Sequence, residues 1–271
     1  MGGVARILII AGSDSGGGAG IQADIKTATM LGGFAMTAIT AVTVQDTQGV
    51  RGGGGLPPAP VVAQMDAVME DIGVDAVKIG MIGNAATATA VADRLERLKG
   101  VAVVFDPVMI ATSGAMLADA DTVAAFHRLM ALSTITTPNI PELETLSGAT
   151  ISGTNSAESA ARRLMVEHGC AVLAKGGHLE ALETVVDILV PTRGDSIRWK
   201  QNRIETRHTH GTGCTLATGI ACGLGQGLPL ADAITRARAF VRAALNAAPG
   251  FGAGHGPMGH SLGRRPADET R

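Results

Sequence analysis

Residues 7–20 read Ile-Leu-Ile-Ile-Ala-Gly-Ser-Asp-Ser-Gly-Gly-Gly-Ala-Gly, and this stretch decides the class of fold. Residues 7–11 form an apolar run that is long enough for a buried β-strand but far too short to span a bilayer. The glycine-rich segment after it leads into Ile21, Ile25 and Leu31, which recur at helical spacing. A buried strand, a glycine loop and a helix in this order predict the first unit of an α/β domain.

The same alternation of strand and helix patterns continues along the chain. Val61, Met65 and Val68 mark one later helix by their spacing. Strands that are apolar throughout, and that helices separate, imply a mostly parallel sheet covered on both faces. Five more short apolar runs predict such strands at residues 38–44, 76–79, 101–105, 134–137 and 171–174.

The pattern is not split by a linker, so we expect a single domain over residues 1–250. Residues 185–204, with turn residues in the middle, predict a small β-hairpin that departs from the parallel sheet. The glycine run at residues 52–55 is interpreted as a flexible loop. Residues 251–271 are rich in Gly, Pro and His without periodicity, which predicts a flexible tail.

Composition excludes several classes of function. The chain has 271 residues, of which 46% are hydrophobic and only 2% aromatic, so the core must be aliphatic. A net charge of -2 gives no electrostatic case for binding nucleic acid or an anionic membrane. The three cysteines form no CxxC pair, which favours a reducing cytosol over a disulfide framework or a zinc site. We therefore expect a cytoplasmic protein whose partners are small molecules.

Polar residues follow almost every predicted strand on its carboxyl side. Because open α/β sheets bind ligands at the carboxyl ends of their strands, these residues predict a functional site on one sheet edge. The residues are Ser13 and Asp14, Gln45 and Asp46, Gly80 and Met81, Asp106, Asn139, and Lys175.

The loop His210-Gly211-Thr212-Gly213-Cys214 precedes a helix of small residues. Its glycines let backbone amides converge, and the helix N-terminus adds partial positive charge, which suits a transferring phosphoryl group. The same helix end is expected to lower the pKa of Cys214. Taken alone, the loop is equally compatible with a tight turn before a helix and an inert cysteine.

The glycine loop at residues 12–20 matches neither the Walker pattern nor the dinucleotide fingerprint, so it is expected to serve some other close backbone approach. Asp24, one turn into the following helix, is positioned to accept a hydrogen bond from a substrate hydroxyl. An acidic residue in a first helical turn is equally explained by the helix dipole.

Asn139 and Glu142 lie three residues apart at the start of a predicted helix. This spacing suits a Mg²⁺ ion held through water, but it also suits an ordinary capping box. Lys175 closes an apolar strand before two glycines, where it faces a ligand phosphate or extends to solvent. Asp106 before Pro107 is either part of the metal and phosphate surroundings or a strand terminator.

Taken together, these blocks resemble the hydroxymethylpyrimidine/phosphomethylpyrimidine kinases, the thiamin-precursor branch of the ribokinase-like family. The similarity extends over about residues 6 to 250. The blocks that carry it are residues 9–24, 44–45, 78–81, 106–109, 137–142, 175–178 and 209–214. The resemblance implies a three-layer αβα ribokinase-like domain with a mostly parallel sheet and no separate lid domain.

The resemblance also implies a role for each block. Gly12, Asp24, Gln45, Met81 and Val108 fall where the family holds its aminopyrimidine. Gly211, Gly213, Cys214 and Lys175 match the catalytic positions of the family. Asn139, Thr212 and Lys175 match the positions that bind the nucleotide phosphates. Asp106 and Glu142 match the surroundings of Mg²⁺. The implied reaction is transfer from ATP·Mg²⁺ to the hydroxymethyl group of 4-amino-5-hydroxymethyl-2-methylpyrimidine, then to its monophosphate, by a homodimeric enzyme.

Three alternatives remain open at this stage. A pyridoxal kinase of the same fold is the nearest, although the Gln45 amide, a donor and an acceptor, suits an aminopyrimidine edge. A precursor-binding protein without catalysis is the second, and the intact loop and Lys175 argue against it. A thiol enzyme using His210 and Cys214 is the third, and no orienting third residue is evident for it.

Overall fold

The computed structural model describes residues 4–110, 114, 116–178 and 183–263. Within these residues the strands form one sheet, in the order β3-β2-β1-β4-β5-β6-β7-β8-β9. The strands are β1 (Ala5–Asp14), β2 (Gly33–Asp46), β3 (Gly49–Gly55), β4 (Ala76–Ile79), β5 (Ala102–Phe105), β6 (Ile135–Thr136), β7 (Ala171–Ala174), β8 (Thr184–Val190) and β9 (Ile197–Asn202).

Helices cover both faces of this sheet. The first face packs against α2 to α6 and the second against α1, α7 and α8. This confirms the expected three-layer αβα fold with a mostly parallel sheet. No helix in the described part of the chain is long and apolar enough to cross a bilayer. The helices are α1 (Gly20–Met30), α2 (Pro58–Asp71), α3 (Ala85–Leu95), α4 (Ala120–Ala131), α5 (Ile140–Ser147), α6 (Thr154–His168), α7 (Thr212–Gly225) and α8 (Leu230–Asn246).

The order of the strands reverses at the centre of the sheet. Strand β1 pairs in parallel with β2 on one side and with β4 on the other. The parallel series then continues through β5 and β6 to β7. Open α/β sheets bind ligands in the crevice at such a reversal, outside the carboxyl ends of the strands. The end of β1, at Gly12, and the residue after β4, at Gly80, border this crevice.

The central strands are apolar along their whole length because both of their faces are covered. Ile7 and Ile9 of β1 point into the core beneath α1, α7 and α8, whereas Leu8 and Ile10 point into the core beneath α2 to α6. All four side chains are fully buried. Burial at this level contributes about 1.5–3 kcal/mol for each large aliphatic side chain.

The edges of the sheet are antiparallel, and one of them differs from expectation. Strands β8 and β9 form the predicted hairpin and extend the sheet beyond β7. The prediction of a flexible loop at residues 52–55 is wrong, because these glycines belong to β3 and pair with β2. A run of glycines has neither β-propensity nor an alternating pattern, so only the backbone hydrogen bonds to β2 reveal the strand.

The prediction of a flexible tail from residue 251 is wrong for the described part of that segment. Met258 and His260 are only 3% and 4% exposed, and the ring of His260 lies 2.9 Å from the hydroxyl of Thr215 on α7. Pro257 forms a bridge with His210. These contacts are made by single residues without periodicity, so no sequence pattern predicts them. Residues 264–271 lie outside the described residues.

The packed segment gives a first prediction. Ending the chain after residue 250 should lower the thermal unfolding midpoint by about 5 °C or more, because burial of Met258 alone stabilises by about 1.5–3 kcal/mol. A chain ending after residue 263 keeps these contacts and should unfold like the full chain. Differential scanning calorimetry of the three proteins measures this, and equal midpoints would contradict the packing role.

Candidate active site

A cavity of about 810 Å³ lies at the carboxyl edge of the parallel strands. Ligand pockets commonly have this size and position. Asp46 and Gly80 of the predicted sheet edge do not line it, and neither does Asp24, whereas every other residue with a role implied by the resemblance does. These residues are Gly12, Gln45, Met81, Asp106, Val108, Asn139, Glu142, Lys175, Gly211, Thr212, Gly213 and Cys214.

Two glycine loops touch beside this cavity. Gly211 caps α7 in the left-handed conformation, with φ of 86°. A Cβ there would collide with the carbonyl oxygen of Gly18 in the loop after β1. Only glycine therefore permits this approach. The first amides of α7 have no acceptors within the helix, as at the start of any α-helix. The start of α7 is thus a backbone anion site beside the end of β1.

The thiol of Cys214 differs from the sequence expectation. Burial, together with the carboxylates of Asp24 and Asp106, raises its pKa to about 11, against the opposing effects of Lys78 and the Gly20 amide. The expected lowering by the helix N-terminus is therefore wrong. With this pKa Cys214 is a neutral thiol at neutral pH, so it can donate a hydrogen bond but is not a ready base.

Lys175, directly after β7, stands between the carboxylates of Asp106, directly after β5, and Glu142, in the first turn of α5. Its Nζ atom lies 2.7 Å from Oδ1 of Asp106 and 3.9 Å from Oε2 of Glu142. Burial would lower the pKa of Lys175, but these carboxylates raise it overall, so the side chain stays charged. A Cβ on Gly213 would lie 3.3 Å from the same Nζ atom. The lysine charge therefore adjoins the anion site at the start of α7.

Asn139 and Glu142 form the capping box that was one of the two sequence interpretations. The Asn139 side chain accepts from the Glu142 amide at 2.9 Å, and Glu142 accepts from the Asn139 amide at 2.8 Å. Burial raises the pKa of Glu142 to about 7, although Lys175 opposes this change. A structural cap thus leaves a buried, incompletely compensated carboxyl group at the cavity wall.

On the β1 side of the cavity, polar side chains are fixed by one another. Nε2 of His210 lies 2.9 Å from Oδ2 of Asp14 and 3.2 Å from Nε2 of Gln45. The Thr43 hydroxyl donates to Oε1 of Gln45 at 3.3 Å. Burial would raise the pKa of Asp14, but hydrogen bonds from His210 and the Ala19 and Gly16 amides lower it overall. The amide of Gln45 forms part of the cavity wall on this side.

Met81 and Val108 supply apolar surface beside this amide. The methyl group of Met81 occupies the space that a Cβ on Gly12 would need. Both side chains are half-buried and line the cavity. A flat heterocycle can therefore lie against aliphatic groups, and the glycine at the end of β1 leaves room for the methionine.

Asp24 is the predicted site residue that the structure places elsewhere. It is fully buried beneath the cavity, where it accepts from Lys78 at 2.8 Å and from Thr218 at 2.7 Å. A substrate hydroxyl cannot reach it. Lys78 is also fully buried, so a complete ion pair joins α1, β4 and α7. Its position in the apolar run at residues 76–79 was the sequence signal for this pair.

The sequence predicted the hairpin of β8 and β9, but not helix α8 or the cavity wall that α8 forms with β9. The spacing of Ala233, Ile234 and Ala237 after Pro229 is the helical signal that would have found α8. The residues lining this wall combine apolar and cationic or amide groups, namely Asn202, Arg203, Val241, Arg242 and Leu245.

The buried pair gives a second prediction. Lys78→Met should destabilise the fold by about 3–5 kcal/mol, because it leaves the Asp24 carboxylate buried without its counter-charge. The double variant Lys78→Met/Asp24→Leu removes both charges and should recover most of this loss. Urea unfolding of both variants measures the difference, and equal destabilisation would show that the charges do not act as a pair.

A family model described as Phosphomethylpyrimidine kinase matches residues 14–259 of the chain. The chain is 49% identical over 257 residues to the thiamine biosynthesis bifunctional protein ThiED of Geobacter sulfurreducens, covering 94% of this chain and 52% of that protein. It is 47% identical over 259 residues to the hydroxymethylpyrimidine/phosphomethylpyrimidine kinase of Rhizobium meliloti, covering 93% of this chain and 96% of that one. The chain thus spans about half the length of the first relative and nearly all of the second.

Solved structures show the same architecture. The ADP complex of Bacillus subtilis pyridoxal kinase superposes with a TM-score of 0.87 at 31% identity, covering 96% of this chain and 98% of that one. The pyridoxal kinase from Staphylococcus aureus in complex with AMP-PCP and pyridoxal gives 0.88 at 27% identity, covering 97% and 96% of the two chains.

Proposed function

The chain belongs to the phosphomethylpyrimidine kinase family, and from this membership we propose that it phosphorylates 4-amino-5-hydroxymethyl-2-methylpyrimidine and then its monophosphate, with ATP as donor. The observation that carries the proposal is one cavity with an amide and aliphatic wall at one end and an anion site at the other. The first suits an aminopyrimidine, and the second suits the group being transferred.

The pyrimidine is assigned to the wall made by Gly12, Gln45, Met81 and Val108. The Gln45 amide both donates and accepts, as the edge of an aminopyrimidine requires. Before the substrate arrives, the amide oxygen of Gln45 lies 3.3 Å from the Thr43 hydroxyl. Met81 and Val108 then cover the ring.

Transfer takes place at the start of α7. The hydroxymethyl oxygen attacks the γ-phosphorus of ATP, a new O–P bond forms, and the bond to the ADP oxygen breaks. The hydroxyl proton passes to an oxygen of the transferred phosphoryl group. The amides of Gly211, Gly213 and Cys214 and the charge of Lys175 stabilise the equatorial oxygens in the transition state. Because this transition state is loose, little base catalysis is needed. Cys214, as a thiol, orients the attacking hydroxyl by hydrogen bonding.

The nucleotide is assigned to the opposite end of the cavity. Asn139, Thr212 and Lys175 are the groups assigned to the phosphates, and the wall of Val241 and Leu245 offers apolar surface for a base. Arg242 of the same wall carries positive charge toward the cavity. The similar kinases solved with ADP and with AMP-PCP support a nucleotide as the phosphoryl donor.

The residues at the cavity fit Mg²⁺, which prefers one or two carboxylates and several waters. Asp106 and Glu142 flank Lys175, and the raised pKa of Glu142, about 7, marks a carboxyl group that a further positive charge would stabilise. These two residues would hold the ion. Bound there, it would neutralise phosphate charge during transfer.

We also propose a cytoplasmic homodimer. Val42 and Val44, at i and i+2 on β2, are 51% and 58% exposed, an apolar pair suited to contact with a second copy. Cys170, Cys214 and Cys222 are all free, which suits a reducing compartment. Sedimentation equilibrium of the native chain and of Val42→Lys tests the dimer, which the lysine should dissociate.

Product analysis by mass spectrometry tests the function. The pyrimidine alcohol and its monophosphate, supplied separately with ATP, should each gain one phosphoryl group. Pyridoxal is the second candidate substrate because of the structural likeness to pyridoxal kinases, and it should react more slowly. Absence of product from both pyrimidines, with product from pyridoxal, would replace the proposal by the second candidate.

Gln45 gives the matching prediction. Gln45→Leu should raise KM for the pyrimidine alcohol by about tenfold, because an amide–ring hydrogen bond is worth about 1 kcal/mol or more when its partner is left unpaired. KM for ATP should stay within about twofold, since Gln45 lies away from the nucleotide end. A rise in both constants would point to general distortion of the cavity.

Cys214 gives a further prediction. Cys214→Ala should reduce kcat by about tenfold to a hundredfold and leave KM for the pyrimidine nearly unchanged, because a neutral thiol orients the hydroxyl without removing its proton. Full general base catalysis contributes about 10²–10⁴-fold. Steady-state kinetics, with buried Cys222→Ala as matched control, measures the effect. A loss beyond about 10³-fold would make Cys214 the base.

A further inference from the structure

A second group of metal-ligating side chains lies far from the cavity. His127 is on α4, and Glu167 and His168 end α6. Helix α4 leads into the start of β6 and α6 into the start of β7. The carboxyl ends of both helices therefore lie at the edge where the strands begin, opposite the cavity at the strands' carboxyl ends. The kinase reaction makes no use of this group.

The donor atoms are spaced as a tetrahedral metal ion requires. Nδ1 of His127 lies 3.1 Å from Nε2 of His168 and 3.9 Å from Oε1 of Glu167. Nε2 of His168 lies 3.6 Å from the same oxygen. Zinc–ligand bonds of about 2.0–2.2 Å in tetrahedral geometry separate neighbouring ligand atoms by about 3.4 Å. Shifts of a few tenths of an ångström would bring all three to a common ion.

We propose that His127, Glu167 and His168 form a binding site for Zn²⁺ or a similar divalent transition ion. Two imidazoles select zinc-type ions, whereas Mg²⁺ prefers oxygen ligands. Three protein ligands leave a fourth position for water, which is accessible because the side chains of His127 and Glu167 are 39% and 50% exposed.

The two imidazoles are already arranged around a shared proton. At 3.1 Å, one ring nitrogen donates to the other when both rings are neutral. An ion between them takes the place of that proton. The proton moves to the other nitrogen of the ring that carried it, and each facing nitrogen then offers its lone pair to the ion. The His168 side chain is only 7% exposed, so packing holds its Nε2 atom in place. The Glu167 carboxylate is 50% exposed and would approach the ion from the surface.

The surrounding charges favour a cation at this position. His168 is the last residue of α6, where the helix dipole places partial negative charge. The neighbouring Arg128 is paired with Asp93 and Glu96, each at 2.7 Å, so its charge is compensated. The site would link α4 to α6, and thereby two helices that cover the same face of the sheet.

Isothermal titration of the native chain with Zn²⁺ tests the proposal. The chain is purified without a polyhistidine tag and kept in excess Mg²⁺ and AMP-PCP, so that the kinase cavity does not take up zinc. One equivalent of Zn²⁺ should bind, and His127→Ala should weaken its binding by about tenfold or more, since even outer-shell losses produce such changes. Glu167→Gln should weaken it less.

The matched control is His255→Ala, which removes an exposed histidine outside the group and should leave zinc affinity unchanged. Zn²⁺ should also raise the unfolding midpoint of the native chain but not of His127→Ala. Without zinc, His127→Ala should show native kinase turnover, which separates this site from the catalytic one. Equal zinc binding by the native chain and His127→Ala, or none by either, would overturn the proposal.

Discussion

The buried ion pair between Lys78 and Asp24 is the interaction on which the geometry of the cavity depends. Lys78 rises from β4 beneath the crevice, Asp24 comes from α1, and Thr218 of α7 donates to the same carboxylate. The helices that it joins are the two whose N-terminal loops meet at the cavity. A buried pair of this kind tolerates little displacement, because each charge has lost its water and depends on the few groups that contact it. The buried ion pair therefore fixes the relative position of α1 and α7, and with it the position of the two loops that precede these helices.

Above this pair, the chemistry is set by backbone and by few side chains. The contact between Gly18 and Gly211 brings the end of β1 against the start of α7, so the proposed substrate and the anion site share one small volume. Lys175, held between Asp106 and Glu142, adds the main positive charge. Positioning and neutralisation of charge are what phosphoryl transfer chiefly requires, and the raised pKa of Cys214 is consistent with a reaction that needs no strong base.

Much of this arrangement was accessible from the sequence. Apolar runs located the parallel strands, and polar residues after them located the cavity edge, because both signals depend on local periodicity. The β3 strand and the packing of Met258 and His260 were missed because they rest on long-range contacts without a pattern. Asp24 was misplaced for a related reason, since spacing cannot show which partner, Lys78 or a substrate, meets a carboxylate. The pKa of Cys214 depends on burial and on charges from three separate segments, so the helix end alone gave the wrong direction.

The thioether of Met81 at the mouth of the crevice has a chemical consequence. An aromatic wall would present a rigid face, whereas a methionine side chain rotates about three bonds and reshapes itself around what it covers. The pocket is thereby adaptable, but its surface contains a sulfur atom that peroxide converts to a polar, chiral sulfoxide. The chain has eleven methionines and no tyrosine, although its core is built mainly from Ala, Val, Ile and Leu. We therefore expect oxidants to alter this cavity by oxidising the Met81 sulfur, and methionine sulfoxide reductases to reverse that oxidation.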